Sequence, residues 1–113
     1  MMAGNPIIPI STVMARSDNP DGSFGLWFDC PGCKLHHCVT IGPGNGPRWD
    51  WDGMVDLPTF TPSVLVRFNW GPEQKAVVCH SFVSRGQIQF LSDCTHELAG
   101  QTVDLPGYGT VDD

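Results

Sequence analysis

Apolar and polar residues alternate most clearly between Lys75 and Leu91, where two runs are separated by Ser84-Arg85-Gly86. A period of two marks a half-buried strand, and a glycine free to take positive φ suits a short hairpin loop. The same pattern, with its β-branched residues, predicts strands over residues 7–13, 25–28, 37–41, 48–52, 62–68, 75–83 and 87–91. Between them lie Asn19-Pro20-Asp21-Gly22, the Gly-Pro-rich stretch 42–47 and Asn69-Trp70-Gly71-Pro72, whose residues fix or free φ and withhold sheet hydrogen bonds. Only Asp93-Cys94-Thr95-His96-Glu97-Leu98-Ala99-Gly100 reads as a short helical turn, with Asp93 as N-cap and Gly100 as its stop.

Composition sharpens this picture. The 13 Gly and 10 Pro among 113 residues are spread along the chain and disfavour long helices, while 41% hydrophobic residues are enough for a folded core. The length fits one domain over residues 1–113, with residues 1–22 read as a loosely attached strand or arm. A net charge of −6 and a pI near 4.8 oppose binding to nucleic acid or an anionic membrane and favour a protein partner. No apolar run approaches the ~18 residues that span a bilayer, and Met1-Met2-Ala3-Gly4-Asn5-Pro6 lacks the features of a signal peptide, so a cytoplasmic location is expected. In that reducing compartment the five cysteines read as metal ligands, reactive thiols or small apolar residues rather than disulfides.

Cys30-Pro31-Gly32-Cys33 follows a predicted strand, and two thiolates on a tight Pro-Gly turn make half of a tetrahedral zinc site. His36, His37, Cys38, Cys79, His80, Cys94 and His96 are available to complete it. A redox dithiol needs a helix after the first cysteine, but the chain runs from Lys34 into β-branched alternation, so Zn²⁺ is the expected cofactor. Cys30, Cys33, Cys79 and His80 form the primary ligand set, with His37, Cys94 and His96 in reserve. Cys79 and His80 are adjacent, however, and both reach one ion only at a bulge or strand end. The fold expected is therefore mainly β, with a zinc knuckle and one short helical turn. Asp93, His96 and Glu97 cluster after the hairpin and fit two roles: a capped turn, or the proton-transfer groups of a zinc hydrolase. Trp49-Asp50-Trp51-Asp52 suits packing better than base stacking because its intervening residues are acidic. Pro58-Thr59-Phe60-Thr61-Pro62-Ser63 reads as an extended lead into the next strand, and no Ser-centred nucleophile motif is seen.

Together, Cys30-Pro31-Gly32-Cys33 with His37, Trp49-x-Trp51-x-Gly53, the segment Pro58 to Ser63, Cys79-His80-Ser81-Phe82-Val83 and the segment Asp93 to Thr102 resemble a family of small uncharacterised phage and prophage proteins. The ammonia monooxygenase label often attached to that family implies a membrane-embedded copper complex, which does not suit a chain without a spanning segment. More distantly the chain is similar to proteins encoded beside bacterial ubiquitin-like conjugation genes. That similarity implies a zinc-dependent peptidase, in which His80 has a counterpart and Cys79 is displaced, so the third and fourth ligands stay open.

Two functional readings follow. In the first, a phage accessory protein uses structural zinc to hold a surface that binds a host or phage protein in the host cytoplasm and counters a defence pathway. In the second, a zinc hydrolase or peptidase acts on ubiquitin-like or isopeptide conjugates through Asp93, His96 and Glu97.

Overall fold

Ten short strands make up the described residues, 6–110, of the computed structural model, and no helix occurs among them. β1 (Ile8–Pro9), β2 (Ala15–Asp18), β3 (Phe24–Cys30) and β4 (Leu35–Ile41) form one antiparallel sheet in chain order. β7 (Val64–Trp70), β8 (Lys75–Ser84), β9 (Gln87–Phe90) and β10 (Thr102–Asp104) form a second, ordered β10-β9-β8-β7. β5 (Asp50–Trp51) and β6 (Phe60–Thr61) pair as a small ribbon between them in sequence.

Both sheets turn one face to a common core. Met14, Leu26, Phe28 and Val39 come from the first sheet or its edge, Val64, Cys79, Val83, Ile88 and Phe90 from the second. Phe60 joins them, its ring 5.7 Å from that of Phe28. Each such side chain contributes roughly 1.5–3 kcal/mol when fully buried. The alternation in β8 and β9, with Cys79, Ser81, Val83, Ile88 and Phe90 buried between more exposed neighbours, is the two-residue period seen in the sequence.

Several expectations need correction. Residues 7–13 do not form one strand, because the Ser11 hydroxyl accepts the amides of Val13 and Met14 and bends the chain after β1. Within the stretch expected as a loose arm, residues 14–18 pack on the body of the fold: β2 pairs with β3, and Met14 and Ala15 are fully buried, while residues 1–5 lie outside the described residues. The strand over 48–52 shrinks to β5, since the Asp52 carboxylate accepts the amides of Met54 and Thr59. β6 and β10, at two and three residues, are too short for periodicity to reveal. Residues 93–100 form successive turns, closed by Ala99 N–H to His96 C=O and Gln101 N–H to Leu98 C=O. Asp93 is not a helix cap there, and its carboxylate turns toward His80.

Gly109 and Thr110 are held by the buried Asp29. Its Oδ2 accepts the amides of Gly109 and Thr110 at 2.8 and 2.9 Å, and its Oδ1 meets His36 Nδ1 at 2.5 Å. His36 stacks on Tyr108, so a donor set encloses an otherwise costly buried charge.

Candidate functional site

The turn between β3 and β4 carries Cys30-Pro31-Gly32-Cys33. Lys34 N–H bonds to Cys30 C=O at 2.8 Å with Lys34 at φ 59°, and Cys33 N–H points at Cys30 Sγ at 3.3 Å. An amide aimed at sulfur lowers the cost of a thiolate, as in metal knuckles. β4 then brings in His37, and β8 of the other sheet brings in Cys79. One ligand atom from each of Cys30, Cys33, His37 and Cys79 lies within 4.8 Å of the others.

This group fits a metal ion. Cys30 Sγ and Cys79 Sγ are 3.8 Å apart, and the edge of a tetrahedron with ~2.3 Å metal–sulfur bonds is about 3.8 Å. His37 Nε2 is buried without a hydrogen-bond partner. Without a cation, hydrogen bonds from Cys33 and Cys79 hold the Cys30 thiol far below its usual range. The hydrogen bond to that sulfur then pushes Cys33 up to about 12 and raises Cys79 further. Three sulfurs this close carry their charges together only around a cation. The group can therefore hold a metal ion, and four donors are enough to close a structural site.

His80 is not in this group, contrary to its place in the expected ligand set. β8 is regular at this point, so Cys79 faces the core and His80 the opposite side of the sheet. There the Ser63 hydroxyl lies 3.0 Å from His80 Nε2, and Asp93 Oδ2 lies 3.1 Å from His80 Nδ1. A carboxylate at Nδ1 keeps the ring proton on that nitrogen and leaves Nε2 to accept from the hydroxyl. Ser63 stands just before β7, its carbonyl accepting the Trp49 indole N–H at 3.2 Å. Ser63 was the missed residue. Its only trace in the sequence is the Pro-punctuated lead 58–63, and the chain order Ser, His, Asp matches none of the familiar triad orders.

The backbone of His80 is held from the same turn that supplies Asp93. Cys94 Sγ accepts His80 N–H at 3.2 Å and donates to His80 C=O at 3.2 Å. The His80 carbonyl also accepts Leu91 N–H at 2.9 Å, so the thiol adds a second tie to it and supplies the acceptor for the His80 amide. Cys94 and His96 also lie, with Cys79, in a second group within 4.8 Å. His96 seats its ring over Gly32, where a Cβ would fall 2.2 Å from Cε1. Its Nδ1 accepts Leu98 N–H at 3.2 Å, and its Nε2 is buried without a hydrogen-bond partner. His96 lies outside the four-donor group and makes no contact with the Ser63–His80–Asp93 arrangement, but it remains a candidate donor in the second group. Glu97 is exposed and its carboxylate makes no hydrogen bond or ion pair. Of Asp93, His96 and Glu97, only Asp93 meets a catalytic-type partner.

Fold and site together define a small antiparallel β protein with a sulfur-rich group able to hold a metal ion. A Ser-His-Asp constellation occupies the other face of the strand that supplies Cys79. The family profile described as bacterial ubiquitination-like system serine protease (BubE) matches residues 7–91, and the chain belongs to this family. No curated protein and no solved structure matches it.

Proposed function

We propose that this protein is a serine hydrolase acting on peptide or isopeptide bonds, with Ser63 as nucleophile, His80 as general base and Asp93 as its orienting carboxylate. A zinc ion held by Cys30, Cys33, His37 and Cys79 is structural in this reading. The observation that carries it is one imidazole engaged on both nitrogens, by a hydroxyl at 3.0 Å and a carboxylate at 3.1 Å. The family's description as a serine protease of a bacterial ubiquitination-like system supports the reaction class and a ubiquitin-like conjugate as substrate.

Ser63 Oγ adds to the scissile carbonyl carbon as its proton passes to His80 Nε2, and Asp93 stabilises the imidazolium. Collapse of the adduct breaks the C–N bond, and His80 returns the proton to the leaving amine. Water then attacks the acyl-Ser63 ester by the same route, releasing the acid and restoring the hydroxyl. Cys30, Cys33, His37 and Cys79 would hold zinc as a cross-link between the two sheets, on the face of β8 away from Ser63, where it would supply no Lewis acidity to the substrate.

A fluorophosphonate probe tests this directly. It is expected to label the wild type at Ser63, to leave Ser63→Ala unlabelled, and to label His80→Ala at least a hundredfold more slowly, roughly the lower bound of general-base assistance. Equal labelling of Ser63→Ala and wild type overturns the assignment. The zinc-hydrolase alternative requires activity that survives Ser63→Ala and is lost on chelation without unfolding. The binding-module reading requires no labelling at all.

A further inference from the structure

The row of side chains beginning at the nucleophile continues across the second sheet. Val64 pairs with Ser81, so Ser63 stands beside Phe82. Phe82 pairs with Gln89, and Gln89 pairs with Thr102. Alternation puts Phe82, Gln89 and Thr102 on the same outer face as His80. At about 4.8 Å per strand, the row from Ser63 to Thr102 spans about 14 Å, the length of roughly four extended residues.

A groove of about 340 Å³ lies along this row, lined by Phe82, Ser84, Arg85, Gln87, Gln89 and Thr102. Phe82 is 43% exposed and forms an apolar shoulder beside the triad. None of the six lining residues is acidic. The Asp104 carboxylate, opposite Gln87 in the pairing, is engaged by Gln87 Nε2 at 3.1 Å. Among the described residues the Arg85 guanidinium has no hydrogen-bond or ion-pair partner. Its backbone is fixed, with Arg85 N–H bonded to Thr59 Oγ1 at 2.9 Å and Gly86 N–H to Pro58 C=O at 3.0 Å. An unpaired cation on an anchored hairpin tip, beside amides and a hydroxyl, is a receptor for a carboxylate.

Resting on the Ser63–His80–Asp93 reading, we propose that this groove is the substrate subsite. It binds an extended peptide segment that carries an acidic side chain within about four residues of the scissile bond, with Arg85 as the specificity-determining residue. The charge is local. Net charge disfavours polyacidic substrates, whereas a single carboxylate placed over Arg85 gains a partner that the protein itself leaves free.

The test is a quenched-fluorescent peptide library varied with Glu, Gln or Lys at each of the four positions on either side of the scissile bond, read by mass spectrometry. Glu is expected to be cleaved about fivefold faster than Lys at one position, a factor typical of an exposed ion pair. That preference should shrink at high salt. Arg85→Glu should invert it while fluorophosphonate labelling of Ser63 stays at the wild-type rate, which shows that the variant is folded and its triad intact. If no library member is cleaved, protection of Ser63 from the probe by acidic against basic tetrapeptides is measured instead. A Glu-to-Lys ratio unchanged by Arg85→Glu, or equal protection by both peptide classes, overturns the subsite. Absence of Ser63 labelling in the wild type removes the triad reading and the subsite with it.

Discussion

Withdrawing the metal ion should cost this domain more than any single core substitution. Cys30, Cys33 and His37 belong to the first sheet and its turn, and Cys79 alone among the four donors comes from the second. An ion in that group therefore ties the two halves of the core together next to Phe28, Phe90 and Val39. Apparent binding energies of structural zinc run to about 10–16 kcal/mol at neutral pH, against about 5–15 kcal/mol for the total stability of an ordinary domain. The tie thus outweighs or equals the remaining stability, and Cys79→Ser or excess chelator should unfold the protein or lower Tm by more than 20 °C, at about 4 °C per kcal/mol. Differential scanning calorimetry with parallel elemental analysis makes the measurement. Cys38→Ser is the control, because that thiol is exposed and outside the metal group. The reasoning is refuted if the chelated protein is metal-free and its Tm stays within about 2 °C of the untreated value.

Other outcomes follow from the same geometry. With Cys33 pushed up to about 12 and Cys79 higher, both bind protons throughout the neutral range, so an ion must displace two of them. Apparent zinc affinity should then fall about a hundredfold per pH unit on acidification from pH 8 to 6 in a competition titration, and a pH-independent affinity would contradict this. Cys94→Ala removes both bonds to the His80 backbone and should lower the Ser63 labelling rate about tenfold, whereas Cys94→Ser, which keeps a donor and an acceptor, should restore most of it. Equal rates in the two variants would show that the sulfur does not position the base. Asp29→Ala removes the carboxylate that meets His36 Nδ1 and accepts the amides of Gly109 and Thr110. It should destabilise the fold by about 3 kcal/mol and speed amide exchange at Gly109 and Thr110, and unchanged protection there would sink the pinning role.

What the sequence determined rests on local rules. The pleat makes apolar residues recur every second position, so β3, β4, β7, β8 and β9 were legible, and the Pro-Gly turn made Cys30 and Cys33 recognisable as a pair of donors. The same two-residue period already warned that Cys79 and His80 face opposite ways. Which of them joins the four-donor group was decided by the packing of the second sheet on the first, since that buries the Cys79 side and brings His37 to it across the core. Ser63, His80 and Asp93 are separated along the chain by strand and hairpin, and no spacing rule relates them. Only the pairing of β7 with β8 and the turn after β9 bring the hydroxyl and the carboxylate to the two nitrogens of one ring. Periodicity reports which face a residue occupies, and a site built from a strand entry, a mid-strand residue and a turn depends on register between strands, which tertiary packing alone sets.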